Sequence, residues 1–280
     1  MEKTLEKSVA FVTGANTGIG RATALELARA GAHVFVACRS EPKGQRAASD
    51  IRSRSGNDKV EYFELDLASL ASVRRGAAAF LARSLPLHLL INNAGVAGQR
   101  GETADGFELH FGTNHLGHFL LTELLLECIK ASAPARIVNV SSTMHYKAKS
   151  LDLDAVRGFT KTITGLPEYQ VSKLANVLFS AELGRRLEGT GVTTYSLHPG
   201  GVASDAYRRI PWPFRQLLLM SMISNEEGAK TSLHCALSPE AGNETGLYYD
   251  KSRVREPSAL AEDGALAKAL WDRSVSWTSA

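Results

Sequence analysis

The stretch Ser8-Val9-Ala10-Phe11-Val12-Thr13-Gly14-Ala15-Asn16-Thr17-Gly18-Ile19-Gly20 decides the fold. Ser8 to Thr13 is a short apolar run that reads as a buried strand. Arg21 to Ala30 carries Ala22, Leu25, Leu27 and Ala28 at helical spacing and stops at Gly31. Between strand and helix stand Gly14, Gly18 and Gly20 in the spacing T-G-x-x-x-G-x-G. Glycines there let backbone N–H groups and the helix N-terminus face an anion with no side chain in the way. A glycine turn serving tight packing alone is the plain alternative. Its place between the first strand and the first helix of an alternating chain favours a pyrophosphate site.

The alternation continues. Strands are expected at His33–Cys38, Val60–Leu65, Leu87–Ile91, Arg136–Val140, Val192–Leu197 and Gly246–Tyr249. Helices are expected at Lys43–Ser55, Ser69–Ser84, within Gly106–Lys130, from Pro167 to about Glu188, at Ser224–Leu237 and at Ala265–Ser274. Continuous apolar strands alternating with helices predict an α/β fold with a parallel sheet covered on both faces. Right-handed crossovers then give a doubly wound sheet of about seven strands. The chain shows no repeat, low-complexity tract or interior linker, so a single domain over 1–280 is expected.

Composition removes several classes of function. A net charge of +3 over 280 residues, without a basic cluster, gives no footprint for nucleic acid. No apolar run is long enough to span a membrane, and the first eight residues are charged rather than signal-like. Cys38, Cys128 and Cys235 are odd in number and dispersed, which suits a reducing cytoplasm and makes no disulfide framework. His115 and His118 lie three apart but lack carboxylate or cysteine company at ligand spacing, so no metal is expected.

The second strand ends Ala37-Cys38-Arg39-Ser40. A dinucleotide-binding chain that uses NAD commonly carries an acidic residue here to hold the ribose 2′-OH. Arg39 can instead pair with a 2′-phosphate and Ser40 can add a hydroxyl, so the reading is NADP(H). Polar and turn residues collect after the other strands: Asp66-Leu67, Asn92-Asn93-Ala94-Gly95, Ser141-Ser142 and His198-Pro199-Gly200. Open α/β sheets bind ligands at these carboxyl ends. Tyr169 and Lys173 are four apart on one helix face, which sets an ammonium beside a phenol. That spacing is common by chance, but a neighbouring cation favours the phenolate and would make the hydroxyl a better proton donor.

Taken in order, the Thr13–Gly20 turn, Asp66, Asn92–Gly95, Asn114, Ser142, Tyr169 with Lys173, and Pro199-Gly200 resemble the short-chain dehydrogenase/reductase family from about Lys7 to about Asp250. Within it, Thr103–Phe107, Asn114–Thr122, Ser132–Arg136, Ser172–Phe179, Thr231–Leu237 and Leu270–Asp272 are similar to the NADP-dependent retinol dehydrogenase branch. The resemblance implies a catalytic set of Asn114, Ser142, Tyr169 and Lys173, with Ser141 as the fallback for Ser142. It implies sheet order 3-2-1-4-5-6-7. It also implies cofactor contacts from Gly14, Asn16, Thr17, Gly18, Ile19, Gly20, Arg39, Ser40, Asp66, Leu67, Asn93, Ala94, Gly95, Tyr169, Lys173, Pro199, Gly200, Val202 and Ser204. Asp66 and Leu67 would flank the adenine, and Asn93 would approach a ribose. Family members often pair through the helices on either side of the fifth strand, so a homodimer or homotetramer is implied.

The resemblance also places a substrate lid at about 203–226. Ala206 to Ser224 is apolar, aromatic and broken by proline, and Tyr207, Trp212, Phe214, Leu218 and Met222 could wall an apolar pocket, with His145 at its mouth. Core, oligomer contact or membrane contact through the flanking Arg208, Arg209 and Arg215 are the other readings of this segment. The branch usually carries an N-terminal hydrophobic anchor, whereas this chain starts almost at its first strand, so a soluble cytoplasmic protein is expected. The functional expectation is an NADPH-dependent carbonyl reductase, or the reverse alcohol dehydrogenase, for a largely apolar aldehyde or ketone, retinal-like compounds included. The alternatives are a same-fold reductase of a steroid, polyketide or fatty aldehyde, and a non-catalytic NADP-binding protein.

Overall fold

A computed structural model describes residues 5–201 and 223–279. The expected residues Val202, Ser204, Tyr207, Trp212, Phe214, Leu218 and Met222 lie outside the described residues, as does all of the expected lid up to 222. Its last four positions, 223–226, lead into a helix.

One sheet organises the described residues. Its strands are β1 (Val9–Thr13), β2 (His33–Cys38), β3 (Val60–Glu64), β4 (Leu89–Asn92), β5 (Ala135–Val140), β6 (Val192–His198), β7 (Leu247–Asp250) and β8 (Arg253–Val254). They lie in the order 3-2-1-4-5-6-7-8, parallel throughout except for the antiparallel β8. β8 was not expected from the sequence. It is two exposed residues with no apolar pattern to announce it.

All five residues of β1 are buried, as a strand covered on both faces requires. Alternation splits them between two layers. Phe11 packs with Phe35, Phe63 and Phe80 on one face, four rings with centroids 5.0 to 6.0 Å apart. Ala10 and Val12 join Val34, Val36, Leu25, Leu27 and Ile51 on the other. The second face is covered by α1 (Gly18–Arg29), α2 (Glu41–Ser55) and a later helix; the first by α3 (Leu70–Leu81) and the helices that flank β5. Ser69 caps α3 by accepting the Ser72 N–H, and Gly56 ends α2 at φ 65°.

The long helix expected within Gly106–Lys130 is three pieces: a single turn α4 (Leu109–Phe111), a π-helical turn (Gly112–Leu116) and α5 (Gly117–Ala131). Close packing at its glycines accompanies the wider turn. A Cβ on Gly112 would stand 2.4 Å from Thr103 Cγ2, and one on Gly117 2.4 Å from the Leu67 carbonyl oxygen. The turn carries Asn114. A 3₁₀ turn (Thr143–Lys147) and α6 (Leu166–Arg186) follow β5. α7 (Asn225–Leu237), a second 3₁₀ turn (Ala241–Asn243), α8 (Ala259–Glu262) and α9 (Gly264–Thr278) complete the described elements. β1 sits between β2 and β4, so the chain reverses its winding there and opens a crevice at the strands' carboxyl ends.

Candidate active site

The β1–α1 turn lies in that crevice. Gly14 and Gly18 have φ of +66° and +59°, a left-handed conformation that glycine adopts without strain. Gly20 is required by space, since a Cβ there would stand 2.3 Å from Asn93 Nδ2. Thr17 is exposed at the N-cap of α1, its side chain makes no capping bond, and the first turn holds no acidic residue. The α1 amides therefore present a positive end to the crevice. Asn16 and Ile19 are half-buried beside it. The donor set fits a pyrophosphate.

Arg39 is exposed at the end of β2, and among the described residues no carboxylate pairs with it. Ser40 caps α2 with its backbone while its hydroxyl makes no capping bond. A guanidinium and a hydroxyl at this edge fit a 2′-phosphate. Asp66 turns the chain after β3, its Oδ1 accepting the Ala68 N–H. Leu67 is only 5% exposed and packs in the core beneath α5, its carbonyl oxygen close against Gly117. Asn93 is fastened back onto β1: its Nδ2 donates to the Thr13 carbonyl (2.8 Å), and its backbone N–H donates to Thr13 Oγ1 (2.9 Å). Its side chain thus locks the phosphate turn. Pro199 and Gly200 follow β6, half-buried, with Gly200 at φ 95°.

The expected catalytic residues converge at the same end of the sheet. Lys173 is 4% exposed, and its Nζ donates to the Val140 carbonyl at 3.0 Å. Burial pushes its pKa down to about 8. The same Nζ lies 5.6 Å from the centroid of the Tyr169 ring. Exposed Gly95 lies over the cluster; a Cβ there would be 3.3 Å from Asn114 Oδ1 and 3.6 Å from Lys173 Nζ. Ala94 beside it is half-buried, its N–H held by Thr13 Oγ1.

Asn114 spends its amide on structure. Oδ1 accepts the Val96 N–H, and Nδ2 donates to the Val96 carbonyl and to Ser172 Oγ. Ser172 passes the connection on by donating to the Tyr169 carbonyl at 2.8 Å. The two serines after β5 differ. Ser141 donates its hydroxyl to the Lys173 carbonyl. Ser142 accepts the Met144 N–H, so its own proton can still be donated. That difference supports the choice of Ser142 over Ser141. His145 is fully buried, and its Nδ1 donates to the Ser142 carbonyl while Nε2 accepts the Ser258 N–H. Both ring nitrogens are committed to backbone, so His145 ties the 3₁₀ turn down rather than lining an open mouth.

Several supporting residues were given no part in this site by the sequence reading, which weighed His118 only as a metal ligand. Glu108 is 3% exposed and accepts the N–H groups of His110 and Phe111, His110 Nδ1–H and the Thr160 hydroxyl. His110 meets the Tyr169 ring edge-on at 6.1 Å. Glu108 thus gathers α4, the loop before α6 and the flank of Tyr169 into one contact. His118 is buried between Asn114 and Thr13. His118 falls in the stretch Asn114–Thr122 quoted for its resemblance, which was its one signal in the sequence; Glu108 falls just past Thr103–Phe107 and had none.

Comparison with known proteins decides the family: the short chain dehydrogenase model matches residues 8–211. The chain belongs to the short-chain dehydrogenases. It is 48% identical to human retinol dehydrogenase 11 over 96% of its own length and 85% of that protein's. Among solved structures, an uncharacterized protein from Mycobacterium paratuberculosis shares the fold with a TM-score of 0.79 at 33% identity, covering 100% of this chain and 96% of the other. Actinorhodin polyketide ketoreductase, solved with NADPH, matches with a TM-score of 0.69 at 26% identity, covering 89% and 97%. A nicotinamide-dependent oxidoreductase acting between CH–OH and C=O groups follows from this membership.

Proposed function

We propose that the protein is an NADP(H)-dependent reductase of a largely apolar aldehyde or ketone, working in reverse as an alcohol dehydrogenase. The observation that carries the chemistry is Lys173 Nζ, buried and 5.6 Å from the centre of the Tyr169 ring at the open end of the sheet. When bound, the nicotinamide cofactor supplies hydride to the carbonyl carbon or takes it from the alcohol. Gly14, Gly18 and Gly20 with the α1 amides would hold its pyrophosphate, and Arg39 with Ser40 its 2′-phosphate. As the carbonyl oxygen gains charge, Tyr169 donates a proton to it as general acid. The Ser142 O–H hydrogen-bonds the same oxygen and stabilises the charge. Lys173 supplies the positive field that favours the phenolate left behind. The resemblance to the family implies a proton relay in which Asn114 fixes a water behind Lys173; its side chain is held by Val96 and Ser172, so the main-chain carbonyl is assigned to hold that water.

The apolar substrate class is supported by the composition of 206–222 and by the 48% identity to a retinol dehydrogenase. A cytoplasmic site of action is proposed on the three dispersed free cysteines. The test is a carbonyl panel, including retinal and aliphatic, steroid and polyketide-like carbonyls, run with NADPH and NADH in parallel. NADPH-dependent turnover of apolar members is expected; turnover with NADH alone overturns the cofactor assignment. Arg39→Asp should move the NADPH/NADH preference at least about tenfold toward NADH, the loss of one charge-assisted pair. An unmoved preference removes Arg39 from the 2′-phosphate site.

A further inference from the structure

His118 lies one helical turn beyond Asn114 and is 2% exposed. Its Nδ1 is 3.0 Å from the Asn114 carbonyl oxygen, and its Nε2 is 2.8 Å from Thr13 Oγ1. A carbonyl oxygen can only accept, so Nδ1 carries the ring proton. In the neutral ring Nε2 is then an acceptor, so the Thr13 hydroxyl donates to it at 2.8 Å in preference to its other acceptor in reach, the Ile91 carbonyl at 3.3 Å. Burial, with the nearby Lys173 charge adding to it, pushes the His118 pKa down to about 4, which keeps the ring neutral. Thr13 Oγ1 in turn accepts the N–H groups of Asn93 and Ala94, each at 2.9 Å.

The polarity of every bond in this chain is therefore fixed. It begins at the turn after β4, passes through the last residue of β1 and the imidazole, and ends on the main-chain carbonyl of Asn114. At one end lie the residues that shape the glycine turn. At the other lies the carbonyl assigned to the proton relay. Neither the glycine motif nor the Tyr169–Lys173 pair accounts for a histidine here.

We propose that His118 is a positioning residue that locks the cofactor turn to the proton-relay residue Asn114 through its two ring nitrogens. The inference rests on the NADP(H) reading above for its kinetic consequences, but the wiring itself can be read without cofactor. Because the two nitrogens serve different partners, they can be removed separately. Asn at 118 retains a donor near the Nδ1 position, in reach of the Asn114 carbonyl. Gln at 118 retains an acceptor near the Nε2 position, in reach of Thr13. Phe at 118 fills the space and retains neither.

The experiment combines two readouts on the full chain. The first is the ¹⁵N spectrum of the histidine-labelled wild type without cofactor at neutral pH. The Nδ1–H tautomer is expected for the resonance that disappears in His118→Phe, and an Nε2–H tautomer overturns the wiring whatever the enzyme's cofactor. The second is NADPH affinity by fluorescence titration together with kcat on an active carbonyl. His118→Gln should hold NADPH within about twofold of wild type and lose about tenfold in kcat. His118→Asn should do the reverse, and His118→Phe should lose both. Parallel losses in the Gln and Asn variants, or wild-type values in the Phe variant, reduce His118 to core filling and overturn the proposal. A wild type that shows the Nδ1–H tautomer but binds no NADPH sinks the function proposed above and leaves the hydrogen-bond chain standing. Circular dichroism of each variant identifies any that fail to fold, and the wild-type tautomer decides the wiring in that case.

Discussion

Lys173 is an ammonium in a place that penalises charge. Its pKa of about 8 lies below the ordinary 10.5, so the folded protein gives up this proton more readily than the unfolded chain does. Between those two values the unfolded state binds more protons, and stability rises with pH. Below about pH 8 the penalty is present in full and amounts to about 3 kcal/mol. Lys173→Met should therefore stabilise the cofactor-free protein by up to about 3 kcal/mol near pH 6.5. The gain should shrink toward zero as pH approaches 10.5. The Val140 carbonyl would keep the Asn176 Nδ2 donor at 3.2 Å, so no acceptor is stranded. Urea unfolding at pH 6.5 and 9.5 measures this, and a pH-independent loss of stability would contradict it. Turnover should collapse in the same variant, the usual exchange of stability for function at an active site.

At the scale of elements, the start of α6 decides where Tyr169 stands. Gly165 holds it at φ +64°, and Glu108 holds the preceding loop through Thr160. Glu108→Ala leaves the His110 and Phe111 amides and the His110 ring N–H without their acceptor, while the Thr160 hydroxyl keeps the Gly101 carbonyl at 3.0 Å, and should cost about 3 kcal/mol or more, since bonds to a buried carboxylate are among the stronger ones. Glu108→Gln, which keeps one carbonyl oxygen for the His110 and Phe111 amides, should cost less. Chemical unfolding ranks the two, and equal losses would refute the loop-fastening role. Thr160 and Glu108 are 52 positions apart, and no local pattern links them. That is why this contact was hidden in the sequence while Tyr169 and Lys173, adjacent on one helix face, were legible. The strands were legible because continuous apolar runs leave little choice. The π turn was not, because a run such as Leu109 to Leu121 gives the same apolar signal whether one turn is wide or narrow.

Across the whole molecule, the described C-terminal helix closes the face that α5 and α6 present. Trp271 of α9 is 6% exposed, stacks on Phe179 of α6 and meets Phe119 of α5 edge-on, and Arg186 lies 4.2 Å above its ring. Trp277 packs on Phe107 and Phe111 nearby. The resemblance to the family implied pairing through the helices that flank β5, and any such pairing must share that surface with α9. Trp271→Ala should cost about 3–5 kcal/mol and bare the two phenylalanine rings. A lowered Tm with concentration-dependent association in light scattering is expected; an unchanged Tm would show that α9 does not hold the body together. The parallel sheet and the ligand site at its strands' carboxyl ends were readable from the alternation that begins at the glycine turn, while the strand order came from the resemblance to the family. The edge strand β8 was not, since two exposed residues carry no apolar signal.

The central claim is that Tyr169 is the proton donor to a carbonyl oxygen. Tyr169→Phe keeps the ring beside Lys173 and removes only the hydroxyl. With the most active carbonyl from the NADPH panel, kcat should fall by about 10²–10⁴, the usual contribution of a positioned acid, while the dissociation constant for NADPH stays within about threefold of wild type. Turnover equal to wild type would contradict the account.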